Sequence, residues 1–276
     1  MEIKYAVHPQ DVKSYDSTRL RQEFHSEGLM VEDQINLVYT HYDRYVYGGI
    51  IPKAKSISLP TYDEFKSDYF LERREAGILN VGGAGKITVD GESFELGNLD
   101  IIYIGKGKKE VVLESKDSSN PAKFYLNSCP AHKEYPTKKA SKEEVNRVDL
   151  GSKELCNERT IFQYIHKDGI ESCQLVMGWT ELKSGSVWNT FPPHTHERRM
   201  EVYFYFDIVP DQIVMHFMGQ PNETRHIAMK EGEAVVSPPW SIHAGAGTGS
   251  YKFAWGMAGE NKAFTDMDGV KLKEIL

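Results

Sequence analysis

Cysteine is scarce. Cys129, Cys156 and Cys173 are the only three in 276 residues, and no two stand in CxxC spacing. That count makes a disulfide framework improbable and suits a reducing, cytoplasmic setting. Long apolar runs are absent too. Nowhere do about 18 apolar residues follow one another, so no stretch reads as a membrane-crossing helix. The opening ten residues, MEIKYAVHPQ, hold no apolar core, and a secretory leader is not expected. Positive charge is in deficit: 33 Lys and Arg stand against 40 Asp and Glu, a net charge of −7. Binders of nucleic acid or of membrane surfaces usually show a net basic face, so neither partner is expected. A content of 40% hydrophobic and 26% charged residues is nevertheless that of a folded globular chain.

Helical patterning is sparse as well. The stretch Asp16 to Phe24 (DSTRLRQEF) predicts one or two capped amphipathic turns, and the capping box Ser141-Lys142-Glu143-Glu144 predicts a short helix to about Val148. What the chain has in quantity is β structure. Runs rich in Val, Ile, Tyr and Phe at 86–89, 93–96, 101–104, 110–113, 123–127, 202–206, 213–217, 234–236 and 251–255 are separated by Gly, Pro, Asn and Asp. Asp90-Gly91 has the chemistry of a tight hairpin turn. The pattern predicts an all-β protein of sandwich or barrel type, with a few short flanking helices.

The polar stretch 129–153 marks the expected boundary between residues 1–148 and 149–276. A faint repeat links the two parts. Glu72-Arg73-Arg74-Glu75 resembles Glu197-Arg198-Arg199-Met200, and Gly97 to Gly105 has the rhythm of Gly232 to Trp240. In this register Tyr69 and Leu71 stand where the second half has His194 and His196. The first copy is therefore expected to lack metal ligands. All four tryptophans, Trp179, Trp188, Trp240 and Trp255, fall in the second half, as a larger aromatic core or a walled cavity would require.

The chemistry-bearing stretch is Pro192-Pro193-His194-Thr195-His196-Glu197-Arg198-Arg199-Met200-Glu201. Two histidines at i and i+2 on a strand point to the same face. Glu201 is at odd offsets from both, so it joins them only if the chain bends within 197–200. Downstream, the run from Gly232 ends in His243. Three imidazoles and one carboxylate make a ligand set for a divalent transition metal, with positions left for water or substrate.

These residues carry a resemblance. His194-x-His196-x4-Glu201 resembles the first cupin motif, and Gly232-x5-Pro238-x-Trp240-x2-His243 the second, with Trp240 where that motif usually has Gly. Longer stretches, among them LERREAGILNVGGAG, PAKFYLNSCPAH and SCQLVMGWTELKSGSVWNTFPPHTHERRMEVYFYFD, resemble the 5-keto-4-deoxyuronate isomerases from about Tyr15 to Asp268. The resemblance implies a double-stranded β-helix (cupin) fold in two copies, with one Zn2+ per subunit held by His194, His196, Glu201 and His243. It further implies a cytoplasmic homo-hexamer that interconverts 5-dehydro-4-deoxy-D-glucuronate and 3-deoxy-D-glycero-2,5-hexodiulosonate during pectin and uronate degradation.

Such an aldose–ketose reaction moves hydrogen from C2 to C1 and needs a base within reach of C2, unless hydride shifts directly. Glu260 is a candidate base. Gln174, Arg199 and Tyr251 are candidate substrate-binding residues, with Arg159, Arg198 and Arg225 as further possible anchors for the substrate carboxylate. Two other functions are compatible with the same ligand set: a metal-dependent cupin dioxygenase and a non-catalytic sugar-binding cupin.

Overall fold

The computed structural model describes residues 1–260 and 266–276. The β-rich runs assemble into two seven-stranded and two four-stranded sheets, with one further short strand pair. The first large sheet orders Glu2–Lys4, Ile35–Thr40, Tyr45–Ile50, Phe124–Pro130, Arg74–Asn80, Ile101–Ile104 and Lys138–Ala140. It faces a small sheet of Ile57–Ser58, Val111–Ser115, Gly85–Val89 and Glu92–Leu96. The second large sheet repeats the plan with Asn146–Leu150, Arg159–Ile165, Leu175–Leu182, Lys252–Ala258, Met200–Phe206, Ala234–Ser237 and His25–Ser26. Its small partner is Trp188–Asn189, Ala244–Gly247, Val214–Gln220 and Glu223–Met229. Each large and small sheet together form one barrel, so the chain is the all-β double cupin expected.

Local chemistry accounts for the details. Asp90 and Gly91 both take positive φ (47° and 87°) and close the hairpin between Val89 and Glu92. The helix Ser17–Phe24 is capped by Asp16, whose carboxylate accepts from Arg19 N at 2.8 Å, and buries Leu20 and Phe24. The helix expected from Ser141 to Val148 does not form. Its capping-box bonds do: Glu144 accepts from Ser141 N and Oγ at 2.8 and 2.9 Å. They close a single turn, because Asn146–Leu150 is drawn into a strand beside Arg159–Ile165. Pairing along a sheet edge outweighs a local preference for one or two helical turns. That strand spans the expected boundary at 148/149, and His25–Ser26, far upstream, completes the second large sheet beside Ala234–Ser237.

Three apolar cores follow from strand alternation. In Met200–Phe206 every residue is buried, but the two faces have different neighbours. Met200, Val202, Phe204 and Phe206 join a core shared by both large sheets, whereas Tyr203 and Tyr205 point into the second barrel. In Arg74–Asn80, Leu79 joins the shared core while Ala76 and Ile78 fill the first barrel. Across the seam Tyr125 stacks on Phe204 with ring centroids 4.2 Å apart. Glycine permits this approach: a Cβ on Gly256 would meet Tyr45 Oη at 2.4 Å. Glu75, fully buried on the first barrel, accepts from three successive backbone N–H groups of the second, Cys173, Gln174 and Leu175, at 2.7–2.8 Å. Tyr103 Oη donates to the same carboxylate at 2.7 Å.

Candidate metal centre

The strand His194–Thr195 pairs with Asp268–Gly269 and stops at a bend through Glu197 and Arg198. Met200–Phe206 then begins in a new direction. This is the bend that the odd spacing of Glu201 requires, and it turns that carboxylate into the barrel. His243 arrives from the opposite side, immediately before Ala244–Gly247. One donor atom from each of His194, His196, Glu201 and His243 lies within 4.8 Å of the others. His194 Nε2 is 3.1 Å from His196 Nε2 and 3.0 Å from His243 Nε2. Glu201 Oε2 is 3.3 Å from His196 Nε2 and 3.0 Å from His243 Nε2.

Four ligands about 2.0–2.1 Å from a tetrahedral ion would stand about 3.3 Å from one another. The observed separations therefore match a shared cation, and the donor set suits a transition metal. The electrostatics agree. Burial, with His243 and His196 adding to it, pushes His194 down to about 2. Burial likewise lowers His196, so neutral lone pairs face the centre. Burial pushes the Glu201 carboxyl up, but His243 and His196 outweigh it and hold the group well below the carboxylate range. Neutral imidazoles and an ionised carboxylate are the protonation states that ligation needs.

The four residues sit in a cavity of about 340 Å³ to which His194, His196 and Glu201 contribute wall. Its remaining wall mixes apolar side chains (Ile161, Phe253, Met257) with polar ones (Arg159, Gln163, Thr180, Thr190, Arg199, Tyr203). Tyr203 packs edge-on against His243, and its hydroxyl is 2.9 Å from Thr190 Oγ1. Trp255 Nε1 donates to Thr180 Oγ1 at 3.1 Å. His216 is close by and fully buried, but its Nδ1 is 2.8 Å from Tyr205 Oη, so it supports the barrel wall.

The other expected site residues are placed unevenly. Arg199 lines the cavity and bonds Asp266 at 2.8 Å. Gln174 does not line it. It lies just before Leu175–Leu182, with its backbone N–H on Glu75 and its carbonyl accepting from Gly259 N at 3.0 Å. Tyr251 does not line it either, because its hydroxyl is taken up by Asn189 and by the Val187 carbonyl. Glu260 is largely exposed, 3.5 Å from Arg198 Nη1, and is absent from the wall; Asn261, next to it, is outside the described residues. Gln163, Thr180, Thr190 and Tyr203 went unmarked in the sequence. For Gln163 a signal exists: Arg159, Ile161 and Gln163 alternate with Thr160, Phe162 and Tyr164, so one strand face carries a polar residue at each end.

A 4-deoxy-L-threo-5-hexosulose-uronate ketol-isomerase of Formosa agariphila is 58% identical over 274 residues, 99% of this chain and 98% of that protein. Proteins of the same name from Halalkalibacterium halodurans and Escherichia coli are 54% and 52% identical, with full coverage of both chains. Among solved structures, an IolB-like protein from Salmonella typhimurium superposes with a TM-score of 0.75 at 16% identity, covering 90% of this chain and 96% of that one. A Bacillus subtilis oxalate decarboxylase gives 0.56 at 10% identity, covering 79% and 69%, and shares the fold alone. The sequence model of the KduI/IolB family matches residues 25–274, and with that match and these full-length relatives the chain belongs to the KduI/IolB family.

Proposed function

We propose that this protein is a zinc-dependent ketol-isomerase that interconverts 5-dehydro-4-deoxy-D-glucuronate and 3-deoxy-D-glycero-2,5-hexodiulosonate. The observation that carries the reading is 58% identity along essentially the whole chain with a protein named for that reaction. The convergence of His194, His196, Glu201 and His243 supports one Zn2+ per subunit, because three nitrogens and one oxygen are a normal zinc donor set. On the sequence resemblance we further propose a cytoplasmic homo-hexamer, in which residues 1–148 scaffold and 149–276 carry the chemistry, apart from the strand His25–Ser26.

The reaction is internally balanced. C2 loses its hydrogen and C1 gains one, the C2 hydroxyl gives up its proton, and the former aldehyde oxygen takes one up. No external oxidant enters. Bound zinc would act as a Lewis acid toward the two neighbouring substrate oxygens as negative charge develops on them. The chain's own contribution is orientation and exclusion of water. Glu201 stays ionised beside His194 and His196, which burial keeps neutral. Tyr203, whose hydroxyl burial keeps protonated, stands beside Thr190 as a hydrogen-bond donor at the wall. Phe253 and Met257 keep the site dry. Besides Glu201, no carboxylate among the described residues lines the cavity, so Glu260 is not retained as the base.

The test is anaerobic turnover of the aldehyde substrate, followed by NMR of C1 and C2, with zinc measured on the same sample. Formation of the ketone at one zinc per chain is the expected result. Turnover that requires oxygen would establish an oxygenase instead, and uronate binding without turnover a sugar-binding protein.

A further inference from the structure

Of the arginines considered as anchors, three are already compensated. Arg198 pairs with Asp266 through Nε and Nη2 at 2.9 and 2.6 Å, and with Glu260 at 3.5 Å. Arg199 is within 2.8 Å of Asp266. Arg225 pairs with Glu223 at 2.7 Å and donates to the Lys13 carbonyl, away from the cavity. Arg159 differs. It stands on the cavity wall, half-buried, on the same strand face as Gln163. Its hydrogen-bond partner is a neutral carbonyl, Asn157 O at 2.9 Å, and among the described residues no carboxylate is within ion-pair distance. Burial pushes its guanidinium below the usual arginine range. A half-buried guanidinium without an anion is costly, and the cost is recovered when an anionic ligand supplies the counter-charge.

Position singles out the same residue. Arg199 interacts electrostatically with His194, His196 and Glu201, so it belongs to the metal end of the cavity. Arg159 stands on the strand Arg159–Ile165, which Leu175–Leu182 and Lys252–Ala258 separate from Met200–Phe206, the strand that carries Glu201. A six-carbon uronate that presents C1 and C2 to the metal carries its carboxylate on the far carbon. We propose that Arg159 is the carboxylate-binding residue of this site and sets its preference for acidic over neutral sugars. The planar guanidinium fork suits a carboxylate better than an ammonium point charge does. The proposal rests on the isomerase reading for the identity of the substrate, but not for its charge.

The test is calorimetric binding of D-glucuronate and of D-glucose to the zinc-loaded protein, beside steady-state turnover. The wild type should bind glucuronate about 10- to 100-fold more tightly than glucose, the usual worth of one charge-assisted pair. R159Q should abolish that preference, R159K should keep part of it, and R225Q, away from the cavity, should leave it in place. In turnover, R159Q should raise KM by a similar factor with kcat changed much less. If R159Q melts early, R159K decides, with an expected loss of about tenfold. A wild type that does not prefer glucuronate, or an R159Q or R159K protein that keeps the full preference, overturns the proposal. Absence of turnover in a wild type that still prefers glucuronate through Arg159 would remove the isomerase reading and leave the anion subsite standing.

Discussion

The two barrels have the same strand order but opposite interiors. In the second, Glu201 lies between Ser237 and Met257 on its neighbouring strands; in the first, Ala76 lies between Ile104 and Ser128. Leu71, which the repeat aligns with His196, is fully buried in the first barrel among Ile78, Ile87, Leu113 and Phe124. One interior is a close-packed apolar plug, and the other a cavity of about 340 Å³ that gathers three imidazoles and a carboxylate. The backbone plan tolerates either content, so the chemistry resides in a few inward positions of a fold that does not dictate it. The difference also divides the labour. Buried polar groups cost stability unless a cation or ligand completes them, whereas apolar packing contributes stability directly. The shared core joins the stabilising unit to the costly one.

The largest effect expected from breaking this arrangement is complete. A fragment beginning at Asp149 loses the edge strand His25–Ser26, the Glu75 clamp and the half of the shared core that covers Phe204. It should fail to melt cooperatively in circular dichroism and should aggregate on size exclusion. A soluble, active fragment would mean that the first barrel is dispensable.

Next come two substitutions that should separate function from stability. His243→Ala removes one of the four proposed zinc ligands from the second barrel. With it go several kcal/mol of transition-state stabilisation, so kcat/KM should fall about a thousandfold and bound zinc should drop. Leu71→Ala should do the reverse. It opens a cavity in the plug at a cost of about 2–5 kcal/mol in urea unfolding while kcat/KM stays near wild type. If Leu71→Ala lowered turnover as strongly as stability, the first barrel would be part of the active machinery.

The residues that converge in the second barrel were legible in the sequence because they stand out by type and spacing, whereas the expected boundary at 148/149 falls inside the strand Asn146–Leu150. The HxH pair and the odd offset of Glu201 needed only strand periodicity, while the placing of Tyr69 and Leu71 opposite the two histidines came from the repeated Glu-Arg-Arg run. The strands that strict alternation would have revealed were harder to see. Arg74–Asn80, with every residue buried, shows no polar–apolar alternation and was not among the predicted runs, whereas 202–206, equally buried, was marked by its Val, Tyr and Phe. The capping box at Ser141 was read correctly as a local bond pattern and wrongly as a helix, because a distant strand competes for the residues that follow. Gln174 was a candidate as a polar residue in an apolar strand and Tyr251 as the residue that opens the strand after His243, but the backbone of Gln174 is bound at the seam and the Tyr251 hydroxyl by Asn189 and Val187. Nothing local in the sequence says which long-range neighbour will occupy a polar atom.

Glu75→Gln tests the seam at a finer scale. The carboxylate serves three backbone N–H groups and Tyr103 Oη, and an amide replaces one of its oxygens with a donor. At least one buried N–H then faces another donor, and the expected loss is about 2–3 kcal/mol in urea unfolding. Zinc binding and KM should be unchanged, because the site lies on the other face of the second large sheet. A shift in KM would show that the seam transmits to the cavity.

The smallest effect concerns the edge strand by which the N-terminal segment reaches the second barrel. Glu233 Oε2 accepts from His25 Nε2 and from Lys230 N, both at 2.8 Å. Burial pushes this carboxyl up, but the bonds from His25 and Lys230 outweigh it, and the folded value lies below the ordinary 4.5. The unfolded chain therefore takes up a proton at a higher pH than the folded one. The stabilisation is fully present above the unfolded value and fades as pH falls through the folded value. Glu233→Gln should remove that slope, with a difference of at most about 1.5 kcal/mol at neutral pH, the order of one hydrogen bond to a charged group. The comparison belongs on chelator-treated protein, where acid release of a cation from the second barrel does not contribute. Parallel acid profiles for variant and wild type would place the acid sensitivity of this half elsewhere than on its borrowed strand.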